Sequence, residues 1–233
     1  PDAWHMNEGH AAFLQLERLR EYVQEQRLPF AEALWAVRGN ALFTTHTPVP
    51  AGNDAFDFDL MDRFFGDFWP KLGLDRERFL DLGRWQNPWG PQFSMTVLAL
   101  RTAIYANGVS KLHGEVARRM WRSLWPEVPL AEVPIGHITN GVHTATWLHP
   151  GLAALFDRYF DFGWRTAIDA PETWAAVERI PDAELWAQHM QARSQMLEVV
   201  RRRTARQLTR AGASPAEVAA AARGLDPRAL TIG

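Results

Sequence analysis

Residues 41–57, ALFTTHTPVPAGNDAFD, constrain the fold of this chain more than any other stretch. The apolar run Ala41-Leu42-Phe43 followed by β-branched Thr44 and Thr45 specifies a buried strand. The strand has to stop at His46-Thr47-Pro48. Pro48 and Pro50 fix φ and lack an N–H donor, and Gly52 permits a turn that a Cβ would resist. In open α/β sheets, ligands sit beyond the carboxyl ends of the strands. His46 and Thr47 stand at such a place. The competing reading of His46 is a strand-end histidine bonded to a neighbouring carbonyl.

Two more segments repeat the pattern. Ala103-Ile104-Tyr105-Ala106 runs into Asn107-Gly108-Val109, after which Ser110 is placed to cap a helix extending to about Trp121. Ile135-Gly136-His137-Ile138-Thr139 runs into Asn140-Gly141-Val142-His143. Each Asn-Gly taken singly is also an ordinary turn. Three apolar segments ending in polar and glycine residues point to one shared crevice. We therefore expect strands ending at His46, Asn107 and Asn140 to be parallel neighbours, with their ends on one side of a sheet.

Around these segments the chain reads as helix. Phe13, Leu16, Leu19 and Val23 recur at helical spacing up to about Gln26, with Glu17, Arg18, Arg20, Glu21 and Glu25 free to face water. Ahead of that helix, Asn7, Glu8 and His10 are placed as caps or site-lining groups. His5, Glu8 and His10 lack the spacing of a helical zinc motif, so no metal site is expected. Phe64, Phe65, Phe68 and Trp69 suit one buried helical face, and residues 85–91 read as loop. Met95 to Arg101 is a short helix.

Beyond Thr144 helices run from Trp147 to Tyr159, from Pro171 to Arg179 and from Asp182 to about Ala211. The last has Leu185, His189, Met196, Val200 and Leu208 on one face and a solvated run Arg201-Arg202-Arg203. Ser214, Pro215 and Glu217 then start a further helix with a capping box.

With 233 residues, 47% hydrophobic, the chain can bury a substantial core, and a formal charge of −2 gives no reason to expect nucleic acid or an anionic membrane as partner. No apolar run reaches membrane-spanning length. The absence of cysteine removes disulfides and thiolate metal sites and suits a cytoplasmic protein. Lysine occurs twice, as Lys71 and Lys111, which limits amine chemistry. A first residue other than Met and a final apolar run, Ala229 to Gly233, that reads as a strand suggest an internal piece of a longer protein.

The blocks HMNEGHAAF, FTTHTPVPAGNDAFD, ANGVSKLHGEVARRMW and ITNGVHTATWLHP, in this order, resemble the α-glucan (glycogen, starch or maltodextrin) phosphorylases, and most of all their bacterial and archaeal branch. The resemblance implies a Rossmann-like parallel α/β sheet with helices, as part of a two-domain GT-B glycosyltransferase fold. Residues 1–143 would form the latter half of the N-terminal domain. Residues 144–233 would form a helical crossing segment and the first strand of the C-terminal domain. The implied reaction is phosphorolysis of a terminal α-1,4-linked glucose from a glucan, giving α-glucose 1-phosphate with retention. The implied partners are α-1,4-glucan and inorganic phosphate.

By motif, His46 would bond the glucose 6-hydroxyl, with its carbonyl near the developing positive charge, and Asn140 would hold the same end of the sugar. Thr47 and Val109 would pack beside the glucose and the cofactor. Glu8 and His10 would line the acceptor side, in a block where animal members carry Asp and His. The family's cofactor is pyridoxal 5'-phosphate, and its Schiff-base lysine is expected beyond Gly233, so neither Lys71 nor Lys111 is assigned to it. A nucleotide-sugar-dependent glycogen or starch synthase shares the fold, but the HTPVPAG and TNGVHTATW blocks favour the phosphorylase. A non-catalytic carbohydrate-binding domain would expose its aromatics, whereas these fall at core-like spacing. A glycosidase would need a facing carboxylate pair.

Overall fold

The computed structural model describes residues 1–87 and 90–230, and these separate into two compact units that divide between Gly141 and Val142. The first unit begins with β1 (Trp4–Asn7), α1 (Phe13–Gln24), α2 (Phe30–Gly39), β2 (Ala41–Thr45), β3 (Ala55–Phe56) and α3 (Phe58–Phe65). It continues with α4 (Arg76–Asp81), β4 (Arg84–Asn87), β5 (Gly90–Ser94), α5 (Met95–Thr102), β6 (Tyr105–Gly108), α6 (Lys111–Trp121) and β7 (Gly136–His137). The second unit is helical among its described residues: α7 (Thr144–Trp147), α8 (Pro150–Tyr159), α9 (Pro171–Ala175), α10 (Asp182–Arg210) and α11 (Pro215–Arg223).

The organising element of the first unit is a parallel sheet in the order β1-β2-β6-β7, so the protein is α/β with a parallel sheet and helices. The three strands anticipated from the sequence are neighbours, with Thr44 opposite Asn107 and Asn107 opposite Gly136. A fourth, β1, was not anticipated. It pairs Trp4 with Ala41 and Asn7 with Thr44.

Side chains alternate across the sheet. Met6, Ala41 and Phe43 point to one face and are fully buried, whereas His5 and Asn7 are exposed on the other. The buried face joins a core containing Leu16, Leu19, Val37, Leu98 and Ala99. Helix α6 sits close to β6 and β7 because glycines meet at the contact. A Cβ on Gly108 would stand 2.8 Å from the Gly114 nitrogen, and one on Gly114 would stand 2.9 Å from the Gly136 oxygen.

Several local expectations need correction. Arg18 does not face water: it is 3% exposed because Gln15, Asn40 and the Val37 carbonyl accept its protons at 2.9, 2.5 and 3.2 Å. The segment read as loop at 85–91 is instead largely the antiparallel hairpin of β4 and β5, with β3 on its far side; Pro88 and Trp89 lie outside the described residues. Of the aromatic cluster, Phe65, Phe68 and Trp69 pack on the core, while Phe64 is exposed.

In the second unit, Leu155, Phe156, Phe160, Trp164, Ala176 and Ile180 form their own core, with Phe156 and Phe160 stacked at 4.6 Å. The expected apolar face of α10 is not buried: Met196 and Val200 are exposed, and Leu197 is its buried residue. Arg201 is not simply solvated, since it donates to the Gly224 and Leu225 carbonyls and ties α10 to the end of α11. The capping box at Ser214 and Glu217 is present as expected. Of the expected terminal strand, Ala229 and Leu230 adopt no strand, and residues 231–233 lie outside the described residues. Among the described residues no helix is long and apolar enough to cross a membrane.

Candidate functional site

The carboxyl ends of β1, β2 and β6 lie side by side, and the loops that leave them carry the polar residues singled out from the sequence. Glu8 follows β1 with φ 75° and ψ 163°, a region that costs a residue bearing a Cβ about 1–3 kcal/mol. Its backbone N–H still pairs with Thr44 at 2.8 Å, so the strain begins where the ladder ends. The Glu8 carboxylate accepts three protons. Oε1 takes the Gly9 N–H at 3.0 Å, and Oε2 takes the His46 N–H at 2.7 Å and the Thr47 hydroxyl at 3.0 Å. The structure thus brings Glu8 together with His46 and Thr47, which lie 38 and 39 residues further along the sequence.

The His46 ring is exposed, and its Nε2 lies 2.6 Å from Asn7 Oδ1, so Nε2 carries the hydrogen and donates. From the sequence Asn7 was a cap or site-lining group, with no role beyond that. Its place one residue before Glu8 was visible, but its partner across the strand pair was not.

Val109 and Asn140 form a second group. The Asn140 N–H donates to the Val109 carbonyl at 3.0 Å and the Ile138 N–H to Gly108 at 2.9 Å, extending the β6–β7 pairing into the loops. Val109 in turn donates its N–H to Nδ1 of buried His113 at 3.2 Å, and Ser110 caps α6 by accepting the His113 N–H. Gly108 and Thr45 are paired residues, so Val109 and His46 leave adjacent strand ends. The Asn140 side chain is exposed. His10, in the single turn Gly9–Ala11, is also exposed and shares no hydrogen bond with this cluster among the described residues.

Behind the loops a ladder of side chains crosses three strands. His5 Nε2 lies 2.8 Å from Thr44 Oγ1, which donates at 3.0 Å to Asn107 Oδ1; Asn107 Nδ2 donates to the Gly108 carbonyl. The one Thr44 proton goes to Asn107, so His5 Nε2 must be the donor. A cavity of about 450 Å³ elsewhere in this unit is lined by Phe13, Phe56, Leu60, Met61, Phe64 and Phe65. It offers no polar side chain to orient a ligand, so the strand-end cluster is the better candidate.

A parallel α/β sheet with polar groups gathered at the carboxyl ends of its strands defines the class, an open α/β ligand-binding unit. The comparison with known proteins narrows this to one group. The chain is 47% identical, over 87% of its length, to the maltodextrin phosphorylase of Thermococcus litoralis. It is 41% identical over its whole length to the glycogen phosphorylase of Mycobacterium tuberculosis, and 32% identical over 99% of its length to that of Aquifex aeolicus. By descent the chain is a relative of the maltodextrin and glycogen phosphorylases, as the four sequence blocks suggested. It spans 24% of the first of these relatives, 27% of the second and 33% of the third. No protein-family profile matches the chain.

Proposed function

We propose that this chain is part of an α-glucan phosphorylase, which transfers a terminal α-1,4-linked glucose from a glucan to inorganic phosphate and releases α-glucose 1-phosphate. The observation that carries the reading is the convergence of His46, Thr47 and Glu8 in a chain 41–47% identical to maltodextrin and glycogen phosphorylases. In this reading the sheet belongs to the first domain of a two-domain GT-B enzyme. Residues 1–143 form the latter half of that domain, and residues 144–233 form the crossing and the first strand of the next. A cytoplasmic setting belongs to the same proposal, as do the glucan and phosphate as its partners.

His46 and Asn140 are the proposed catalytic residues, grasping the hydroxymethyl end of the sugar from neighbouring loops. Thr47 and Val109 are proposed to pack beside the ring. Glu8 and His10 are proposed to border the acceptor side, Glu8 with its carboxylate already committed to Gly9, His46 and Thr47. Placing fixed donors and acceptors around the sugar before the bond breaks is the means by which such groups accelerate a transfer reaction.

Pyridoxal 5'-phosphate, which the family uses, needs an amine for its aldehyde and fixed donors for its phosphate. The lysines here, Lys71 and Lys111, are both exposed, so these residues do not fit the cofactor, and the proposal assigns its lysine to another part of the complete protein.

The test is His46→Ala in the complete protein, assayed with glucose 1-phosphate and with its xylose counterpart, which lacks the hydroxymethyl group. Loss of a specific polar contact in a closed site lowers kcat/KM by about 2–4 kcal/mol for the glucosyl substrate, with a smaller loss for the xylosyl one. Equal losses on both substrates would refute the contact, and no phosphorolysis by the unmodified protein would refute the function.

A further inference from the structure

The geometry points to Asn7 and Glu8 as positioning residues that make His46 a hydrogen-bond acceptor towards its ligand. The inference rests on the reading above, that a sugar hydroxyl meets His46. Three contacts reach the His46-Thr47 step from one dipeptide at the end of β1. Asn7 Oδ1 takes the ring Nε2–H at 2.6 Å, and Glu8 Oε2 takes the His46 N–H at 2.7 Å and the Thr47 hydroxyl at 3.0 Å. A neutral imidazole carries one hydrogen, so a ring whose Nε2–H is bound to an amide oxygen presents a bare lone pair at Nδ1. Such a ring receives the proton of a hydroxyl and offers nothing to a ligand that is only an acceptor.

Glu8 acts on the backbone. Its left-handed φ of 75° places a four-bond carboxylate where it bridges the start of the turn at Gly9 and the end of β2, a position in which glycine would be relaxed but unable to reach. With the N–H of His46 bound to this carboxylate and its ring bound to Asn7, both the His46 carbonyl and its Nδ1 are aimed before any ligand arrives. Asn7 and Glu8 touch His46 rather than the reacting atoms, so they act through it.

The test is nitrogen-15 NMR of histidine-labelled complete protein at pH 8, alongside activity towards maltodextrin and phosphate. His46 is expected as the Nε2–H tautomer. Asn7→Leu, similar in shape but without the acceptor, is expected to give a tautomer mixture and a loss of at least tenfold in kcat/KM. Asn7→Asp, which keeps an acceptor oxygen, is expected to restore the tautomer and most of the activity, an outcome that a merely structural role for Asn7 does not produce. Glu8→Ala is expected to speed exchange of the His46 amide hydrogen at least tenfold while leaving the tautomer alone. His46 found as Nδ1–H, a tautomer unmoved in Asn7→Leu, or an amide unmoved in Glu8→Ala would overturn the inference. The expected tautomers in a protein that turns over no glucan would uphold the positioning and refute the phosphorylase reading.

Discussion

The Arg18 guanidinium joins the ends of three elements: Gln15 on its own helix, the Val37 carbonyl in α2 and Asn40 just before β2, with the Trp4 ring 4.9 Å from its centre. Gln15 passes the connection on to the Thr102 carbonyl at the end of α5. Removing the cation leaves several buried acceptors without a donor, so Arg18→Met is expected to lower unfolding free energy by about 2–4 kcal/mol in urea titrations. The spacing of α1 placed Arg18 among polar residues and so gave no sign of this, because its partners come from other elements. The same reason separates the legible from the hidden residues of the site. His46, Thr47 and Glu8 stood out where apolar runs break. His113 did not, and Asn7 was marked only as a cap or site-lining group, since their meaning depends on contacts with the Val109 N–H and with His46.

At the scale of elements, strands of apolar and β-branched residues ending in Pro or Gly were readable, and β2 shows why: its pattern of burial on both faces agrees with its composition. Strand β1 was not: Trp4, His5, Met6 and Asn7 do alternate as a strand does, but four residues directly ahead of a helix are too short a run to stand out. Helix α10 was read with a buried stripe, yet among its described residues it buries mainly Leu197, and its ties to α11 run through Arg201. Helix α11 starts at the reciprocal Ser214–Glu217 box, so Ser214→Ala is expected to cost about 1 kcal/mol, seen as faster amide exchange in its first turn. In α8, Asp157 accepts from Arg165 at 2.8 Å and from Trp164 Nε1 at 3.0 Å, and these bonds hold its carboxyl below the usual aspartate range. A lowered carboxyl contributes stability that is complete above the ordinary aspartate pKa and disappears as pH falls through the lowered value. Asp157→Asn is therefore expected to lower the thermal midpoint at neutral pH and to flatten the acid limb of unfolding below about pH 4, because the stabilisation that acid would remove is already gone.

Across the whole molecule, two compact units and a parallel sheet follow from where apolar runs cease and helical periodicity takes over near residue 142. What a chain covering 24–33% of its relatives can do alone is a separate matter, and its lysines decide it. Incubating the 233-residue chain with pyridoxal 5'-phosphate, reducing with borohydride and mapping the lysines by mass spectrometry is expected to give no stoichiometric label at Lys71 or Lys111. It is also expected to release no glucose 1-phosphate from maltodextrin. Specific labelling of Lys111 together with release would place the amine chemistry within this segment.

The row of His5, Thr44 and Asn107 also bears on how faithfully the sheet is assembled. A slip of one residue between β1 and β2, or between β2 and β6, would turn His5 or Asn107 to the opposite side and leave Thr44 without a match. The row thus penalises misaligned pairings among strands only four or five residues long, where apolar contacts alone discriminate poorly. Thr44→Val keeps the shape and removes the check. Its expected signature is a native state weakened by only about 1 kcal/mol but a lower yield on refolding from urea, with the missing protein recovered as soluble oligomers by size exclusion.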